Sequence, residues 1–249
     1  MLNKFYTDAL GMKRYLQDLT RMAAQISHRY PHMSVLEVGA GTGGATKVIL
    51  RELDNAFGSY CYTDISTGFF NEAKETFRAH KAKMTFKALD IEKDIVEQGF
   101  EEQSYDLLIA NLDVHATKNL EHTMRNLRRL VKPGGYLLLL EIKDNNPLRF
   151  GFILGGVPGW WLGHDDGRIM SPCVNIPAWN EVMRKTGFAG VDSATGHVET
   201  CPLSVMITQA VDDRIRSMRE PLLSPNLPEI SKTTLTIVEG TGTKSSQLT

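Results

Sequence analysis

The segment that most constrains this chain is residues 34–44, SVLEVGAGTGG. Residues 34–38 are a mostly apolar, β-prone run of the kind that forms a buried strand. Three glycines then alternate with other residues: Gly39, Gly41 and Gly43. Residues 44–50 predict a helix. A strand that turns through glycines into a helix allows a ligand to lie against bare backbone and to face helix N–H groups.

The glycine spacing alone leaves the class of ligand open. Gly39, Gly41 and Gly44 also satisfy the G-x-G-x-x-G spacing of a dinucleotide site. Glu37 favours a different ligand, because a carboxylate beside the loop would repel a pyrophosphate but could pair with an ammonium group. The alternative is that Glu37 caps a neighbouring helix, but burying an unpaired charge is costly. The E-x-G-x-G-x-G placement resembles motif I of the class I S-adenosylmethionine-dependent methyltransferases.

Composition excludes several classes of function. The chain has 249 residues, 42% of them hydrophobic, which suffices for one α/β domain. A net charge of −1 without a basic patch predicts neither a nucleic acid nor a membrane partner. We see no membrane-spanning run and no signal-peptide pattern, so we expect a cytoplasmic protein. Cys61, Cys173 and Cys201 lack metal-ligand spacing and indicate free thiols, and no bound metal is expected.

The rest of the chain alternates between strand and helix patterns. Strands are predicted at 60–63, 84–89, 105–110, 136–140, 191–194 and 203–208, and helices at 69–80, 120–130, 178–186 and 212–219. Residues 131–135, VKPGG, predict a turn. Such βαβα order predicts an α/β fold with a largely parallel sheet and helices on both faces.

The flanks and one insertion have a different character. Residues 1–33 form an N-terminal segment, with helical spacing of apolar residues over 2–29, and 34–210 form the core. Residues 143–177 are rich in glycine, proline and aromatic residues, as is typical of a lid or a binding loop. Residues 211–249 have the character of a linker toward a following domain.

Acidic residues follow the strands of the predicted core. Asp64 lies about twenty residues beyond the last glycine, where nucleotide-type folds place a carboxylate for ribose hydroxyls. Ile65 could pack on an adenine face, and Asp90 with Ile91 could bind the adenine edge. Together with Glu37 these acids belong to three successive strands. Because strand ends line the ligand crevice in such sheets, they predict one site.

Several stretches, in the same order, resemble the C-methyltransferase domain of fungal highly reducing polyketide synthases. They are LEVGAGTGG at 36–44, YTDIS at 62–66, LDIEK at 89–93, HAT at 115–117 and PGWWLG at 158–163. The resemblance covers about residues 5–208, and the last of these motifs is more specific than the glycine loop. It implies a Rossmann-like class I methyltransferase fold with a seven-stranded, mostly parallel sheet and S-adenosylmethionine as cofactor.

The resemblance also implies an activity and its residues. Domains of this family methylate the α-carbon of a β-ketoacyl thioester held on an acyl carrier protein, beside neighbouring synthase domains. The family's His–Glu dyad falls on His115, as the base, and Glu141, as its orienting partner. The alternative is that His115 is a core histidine with satisfied hydrogen bonds and that Glu141 caps a helix. Asn111 is assigned with the cofactor-binding residues. Tyr6, Trp160 and Trp161 are assigned to the substrate. The alternatives are a core position for Tyr6 and, for the tryptophans, an aromatic cluster that only closes the core.

Asp113 departs from the family pattern, which usually carries an apolar residue at this position. If its side chain points into the pocket, it would raise the pKa of His115 or compete with Glu141 for it. If it points to a helix terminus, it is an N-cap without consequence for the dyad. The sequence leaves both arrangements open.

Alternative functions follow from the same observations. A catalytically silent module could keep the fold and the cofactor. A small-molecule O- or N-methyltransferase would act without a carrier protein. A nicotinamide-dependent oxidoreductase could use the same glycine loop, but Glu37 and the lack of a Tyr-x-x-x-Lys set argue against it.

Overall fold

The computed structural model describes residues 12–143, 147–196 and 202–221, with the side chains of 147–150 left out. The strands are β1 (Ser34–Val38), β2 (Ser59–Asp64), β3 (Met84–Ala88), β4 (Tyr105–Asn111), β5 (Val131–Ile142), β6 (Ser193–Ala194) and β7 (Leu203–Gln209). The helices are α1 (Met12–Arg29), α2 (Gly44–Leu53), α3 (Phe70–Thr76), α4 (Leu120–Leu130), α5 (Pro147–Leu154), α6 (Ile176–Lys185) and α7 (Asp213–Arg219). Short 3-10 turns lie between several of these elements.

The strands form one seven-stranded sheet in the order β3-β2-β1-β4-β5-β7-β6. The first five strands pair in parallel, and β7 runs antiparallel to both β5 and β6. This confirms the mostly parallel sheet that the sequence predicts. Strand β1, which leads into the glycine loop, lies between β2 and β4, so the loop emerges near the middle of the sheet edge.

Alternate residues of the central strands supply two cores, one on each face of the sheet. Val35 and Leu107, whose Cα atoms are partners, join the apolar cluster that also contains α1 and α2 residues. The next pair, Leu36 and Leu108, joins the cluster that contains residues of α4 and α6. Because side chains alternate along a strand, strands buried on both faces need the continuous apolar runs found here.

The predicted turn at 131–135 is wrong, because these residues form the first part of β5. Gly134 adopts φ +83° and donates its N–H to the carbonyl of Ala210 at 2.8 Å. The register between β4 and β5 shifts at this point. The chain therefore accommodates proline and glycine as an irregularity within the strand, where bonds to β4 and to the end of β7 outweigh the local turn preference.

Two further elements are shorter than predicted. The helix expected over 69–80 is divided into 3-10 turns at Thr67–Phe69 and Arg78–His80 around α3. The strand expected over 191–194 is reduced to β6. No helix in the described ranges has the length and the apolar character required to cross a bilayer. Residues 1–11 and 222–249, which include Tyr6, lie outside the described part of the chain.

Substitution of Leu19 tests whether α1 is an integral part of this domain. Leu19 is 0% exposed within the first cluster, so Leu19→Ala should lower the free energy of unfolding by about 2–5 kcal/mol in urea titrations. Lys13→Ala, on the exposed side of the same helix, is the control and should change it by less than about 0.5 kcal/mol. Equal unfolding midpoints for the two variants would show that α1 does not stabilise the sheet.

Candidate functional site

The loop between β1 and α2 has the conformation for which its glycines are required. All three alternating glycines have positive φ: Gly39 at +61°, Gly41 at +56° and Gly43 at +79°. Side chains strongly disfavour this region, so glycine is the default residue in it. The N–H of Gly41 donates to Asp64 Oδ2 at 2.8 Å, and its carbonyl accepts from the Tyr62 hydroxyl at 2.5 Å. Strand β2 therefore fixes the loop from one side.

Glu37 lies beneath the loop rather than at its surface. Its side chain is buried, and Oε2 accepts hydrogen bonds from the hydroxyls of Thr46 and Tyr60, each at 2.6 Å. No described residue bonds to its buried Oε1. Burial raises the pKa of Glu37 to about 7, although the two hydroxyl bonds oppose the rise. The predicted pairing with a ligand ammonium group stays a prediction, and one oxygen remains available for it.

Asp64, the last residue of β2, is anchored by backbone groups. Besides the Gly41 bond, Oδ1 accepts from the N–H of Ser66 at 2.8 Å. Each carboxylate oxygen retains a further lone pair that a ribose hydroxyl could use. The neighbouring Ile65 is 71% exposed at the strand end. An exposed apolar side chain beside an anchored acid is compatible with the predicted adenosine contacts of both residues, which stay predictions.

Asp90 and Ile91 lie just after β3 in a compact turn. One Asp90 oxygen accepts from the N–H of Glu92 at 3.0 Å, and the other pairs with Lys93 Nζ at 3.0 Å. Ile91 is buried in the second core cluster, and its carbonyl accepts from Asn126 Nδ2 at 3.0 Å. These contacts tie the β3 end to α4. The roles of both residues toward an adenine edge stay predictions.

At the end of β4 the chain bends sharply toward the glycine loop. Asn111 closes the strand, and no described residue bonds to its buried Oδ1. Leu112 then adopts φ +57°, a region that bulky residues rarely enter. The bend places Asp113 against Gly39, where a Cβ would lie 2.5 Å from the Asp113 carboxyl carbon. Asp113 starts the next turn but makes no capping hydrogen bond, so the harmless-cap arrangement is not the one adopted.

His115 and Glu141 are in direct contact. His115, on the 3-10 turn Val114–Ala116, has its Nδ1 2.6 Å from Glu141 Oε2. The other oxygen of Glu141 accepts from the backbone N–H groups of Val114 and His115 at 3.0 and 3.4 Å. Both side chains are buried, and Glu141 is 0% exposed. The carboxylate thus orients the ring and holds the turn that carries it.

The charges around His115 shift its protonation in opposing directions. Burial lowers the pKa of His115, but the charge and hydrogen bond of Glu141, together with the charge of Asp113, raise it more, so the net shift is upward. Arg168 opposes the rise. Burial, then the charges of Glu141 and Asp64, raise the pKa of Asp113 to about 6, although His115 opposes this shift. Asp113 is therefore an electrostatic neighbour of the dyad.

Sequence reasoning missed the residues that hold the site from behind. Tyr60 and Thr46 support Glu37. Arg168 connects the insertion to the His115 turn, and Asp166 connects it to the start of α4. The only local signal for the last two was an acid and an arginine, two residues apart, in a glycine-rich segment. That signal carries no information about the segments that Asp166 and Arg168 bind, because these segments lie about fifty residues away in the sequence.

The insertion carries the two predicted substrate tryptophans in different environments. Trp160 is buried in the first core cluster, and the turn that carries it, Pro158–Trp161, packs against the His115 turn. Trp161 is 45% exposed, and its ring N–H donates to the carbonyl of Gly155 at 2.8 Å. A core role thus accounts for the burial of Trp160, whereas Trp161 presents apolar surface.

The residues of the loop region suit a bound S-adenosylmethionine. The left-handed glycines leave bare backbone, and a Cβ on Gly44 would meet no atom within 4 Å. Two buried oxygens without a partner among the described residues, Glu37 Oε1 and Asn111 Oδ1, are acceptors that a ligand ammonium or hydroxyl can satisfy. The raised pKa of Glu37 also fits, since a nearby cation would offset the cost of its burial. The His115 turn follows the neighbouring strand β4, so an imidazole lies near the loop.

Gly39→Ala tests the loop conformation. Because φ is +61° and the new methyl group would meet the Asp113 carboxyl, this variant should lower the free energy of unfolding by more than about 1 kcal/mol. It should also weaken S-adenosylmethionine binding measured by calorimetry. Gly44→Ala is the matched control, and it should keep stability and affinity because its Cβ meets open space. Equal behaviour of the two variants would contradict the loop geometry.

The chain is similar to known methyltransferases and polyketide synthases. Residues 36–137 match the family model described as a methyltransferase domain. The PKS-NRPS hybrid synthetase cheA of Chaetomium globosum is 64% identical over 238 residues, which are 95% of this chain and 5% of that protein. The chain therefore spans about one twentieth of the length of this curated relative.

Solved structures give the same family. The trans-methyltransferase CalH, in complex with SAH, matches with a TM-score of 0.73 and 33% identity over 84% of this chain and 62% of that one. The citrinin polyketide synthase CMeT domain matches with a TM-score of 0.74 and 29% identity over 85% and 56%. The chain belongs to the methyltransferase domain family and, within it, to the S-adenosylmethionine-dependent carbon methyltransferase domains of fungal polyketide synthases.

Proposed function

We propose that this domain methylates the α-carbon of a β-ketoacyl thioester carried on an acyl carrier protein, with His115 as the base. The observation that carries the proposal is the 2.6 Å contact between His115 Nδ1 and Glu141 Oε2 beside the glycine loop. When bound, S-adenosylmethionine supplies the methyl group, and the electron pair of the broken C–S bond stays on the departing sulfur.

The β-keto substrate requires little more than a positioned base. Its α-hydrogens are acidified by two flanking carbonyl groups, so a neutral imidazole can remove one of them. With Nδ1–H donated to Glu141, the other ring nitrogen of His115, Nε2, keeps its lone pair and takes the proton. The carbon–hydrogen electron pair becomes the enolate, whose carbon forms the new bond to methyl. Glu141 then stabilises the imidazolium.

Cofactor binding is assigned to the glycine loop and the strand ends. Gly39, Gly41 and Gly43 offer bare backbone, and Glu37 offers below it one oxygen to which no residue in the described ranges bonds. The remaining assigned positions are Asp64, Ile65, Asp90, Ile91 and Asn111. Among these, Asn111 has the same support as Glu37, namely a buried oxygen without a described partner.

The acyl chain is assigned to the insertion. The segment that carries Trp161 exposes further apolar side chains, which include Val157, Leu162, Ile169 and Met170. An apolar surface of this kind suits the hydrocarbon part of a growing polyketide. The carrier protein and the neighbouring synthase domains are the proposed partners, with residues 211–249 as the linker, 34–210 as the core and 1–33 as the N-terminal segment.

Asp113 supports a second candidate, a catalytically silent module that retains the fold. Its carboxyl lies against Gly39, and its charge interacts with those of His115 and Glu141. A negative charge at this point holds more of the His115 population in the protonated form, which cannot act as a base. Methyl transfer to a β-ketoacyl thioester, measured by mass spectrometry of the acyl product, separates the two candidates.

His115→Ala is the direct test of the base. It should reduce kcat by about 10²–10⁴-fold while leaving S-adenosylmethionine affinity nearly unchanged, because the imidazole acts on the acyl substrate. Glu141→Gln should lose less, since the amide can still orient the ring but cannot stabilise its positive charge. Near-normal turnover of His115→Ala would assign the proton transfer to another group.

Asp113→Val tests the electrostatic coupling in the same assay. A base is active when it is neutral, so kcat/KM should rise with pH through the pKa of His115. Asp113 contributes to the raised pKa, and its removal should shift this rising limb toward lower pH. If kcat/KM of this variant rises over the same pH range as in the parent, Asp113 does not act on the dyad.

The two tryptophans separate substrate binding from packing. Trp161→Ala should lower kcat/KM for long acyl chains more than for short ones, with little change in Tm, because its ring is largely at the surface. Trp160→Ala should lower stability by about 3–5 kcal/mol through the cavity it leaves. Equal losses by Trp161→Ala for every chain length, with a lowered Tm, would contradict the substrate role.

A further inference from the structure

Arg168 is a buried guanidinium that the proposed chemistry does not use. Its side chain is 7% exposed, and it projects from the insertion toward the end of β4. Nη1 and Nη2 donate to four backbone carbonyls, those of His115 at 2.7 Å, Pro172 at 3.1 Å, Thr117 at 2.5 Å and Lys118 at 3.3 Å. Nε donates to Asp166 Oδ2 at 3.2 Å. Every polar nitrogen of the side chain is therefore engaged.

Three of these carbonyls belong to the segment that carries the proposed base. The turn Val114–Ala116 is short, and the carbonyls at and after its end have no partner within the turn. A cation at this end is favourable because the carbonyl dipoles point toward it. Arg168 thus binds the His115 turn from its carboxyl end, while Glu141 binds the same turn through its N–H groups.

Asp166 binds the start of the following helix, α4. Its Oδ1 accepts from Asn119 Nδ2 at 3.0 Å, and its Oδ2 accepts from the N–H of Leu120 at 2.9 Å, at the start of α4. The insertion also makes room for the guanidinium, since a Cβ on Gly163 would lie 2.6 Å from Arg168 Cζ. Arg168 and Asp166 therefore form one connection between the insertion and the base.

We propose that Arg168 is a positioning residue, which keeps the His115 ring on Glu141 only while the insertion is seated against the sheet. The placement of the base is in this way coupled to the segment assigned to the acyl chain. The inference rests on the proposed role of His115 as base. It adds a residue that touches neither the substrate nor the cofactor.

The charged groups that face His115 determine the electrostatic contribution to this coupling. Glu141 faces it from β5, Asp113 from its own segment, and Arg168 from the insertion. The two acids raise the pKa of His115, whereas Arg168 lowers it. Loss of the guanidinium charge should therefore raise this pKa and move the rising limb of kcat/KM toward higher pH.

The experiment compares Arg168→Gln with Arg168→Lys in the 249-residue chain. Arg168→Gln should lower kcat by about 10–100-fold, as expected for a displaced catalytic group, and should shift the limb to higher pH. Arg168→Lys keeps the charge but cannot reach the four carbonyls with one ammonium group. The kcat/KM of Arg168→Lys should rise over nearly the same pH range as in the parent, but its kcat should still be lower. S-adenosylmethionine affinity should stay unchanged in both variants.

Arg128→Lys is the matched control. Arg128 is half-buried and, like Arg168, donates to backbone carbonyls, those of Gly187 at 2.8 Å, Val131 at 3.0 Å and Val211 at 3.1 Å. Val131 begins β5, whereas Glu141 lies near the other end of that strand. Substitution of Arg128 should lower Tm as much as Arg168→Lys does. It should leave kcat and the His115 titration, followed by NMR of the imidazole ring, as they are in the parent.

Two outcomes would overturn the proposal. One is a loss of activity in the Arg168 variants no larger than that of Arg128→Lys at equal folded fraction. The other is an unchanged NMR titration of His115 in Arg168→Gln. If the titration shifts as expected but His115→Ala remains active, the coupling is supported and the assignment of the base is the part that fails.

Discussion

The buried carboxylate of Glu141 is the interaction on which the site depends. An ionised carboxylate without exposure is costly unless donors surround it, and here three donors come from one turn. Strands β4 and β5 pair in parallel, with Asn111 opposite Leu140, so Glu141 lies beside the point where β4 ends. Displacing the His115 turn would leave the carboxylate uncompensated, and the sheet register thereby fixes the position of the imidazole.

The other acids give the site a common electrostatic character. Burial raises the pKa of Glu37 to about 7 and that of Asp113 to about 6, on two sides of the same glycine loop. Neither carboxyl has a cationic side chain bonded to it among the described residues. A positively charged ligand would lower both pKa values and recover the energy that burial costs. The region therefore favours a cationic ligand over a pyrophosphate, which agrees with the family to which the chain belongs.

The features that the sequence predicts well are those with short-range signals. The glycine loop, the strand that precedes it and the order of strands and helices depend on local periodicity and on glycine conformation. The same kind of signal predicts a turn at residues 131–135, but β5 pairs with distant strands that override it. Arg168 and the His115 carbonyl are 53 residues apart, and no pattern within either segment encodes their contact.

For Asp113, one long-range contact decides between the two roles that the sequence leaves open. From the sequence it could be a cap or a neighbour of the dyad. The positive φ of Leu112 turns the chain so that Asp113 meets Gly39, a position that only a residue without a side chain can share. Its charge then raises the pKa of His115, while Arg168 acts in the opposite sense from the insertion. The protonation of His115, the proposed base, thus depends on the positions of both the β4 bend and the insertion, and a shift of either segment changes it.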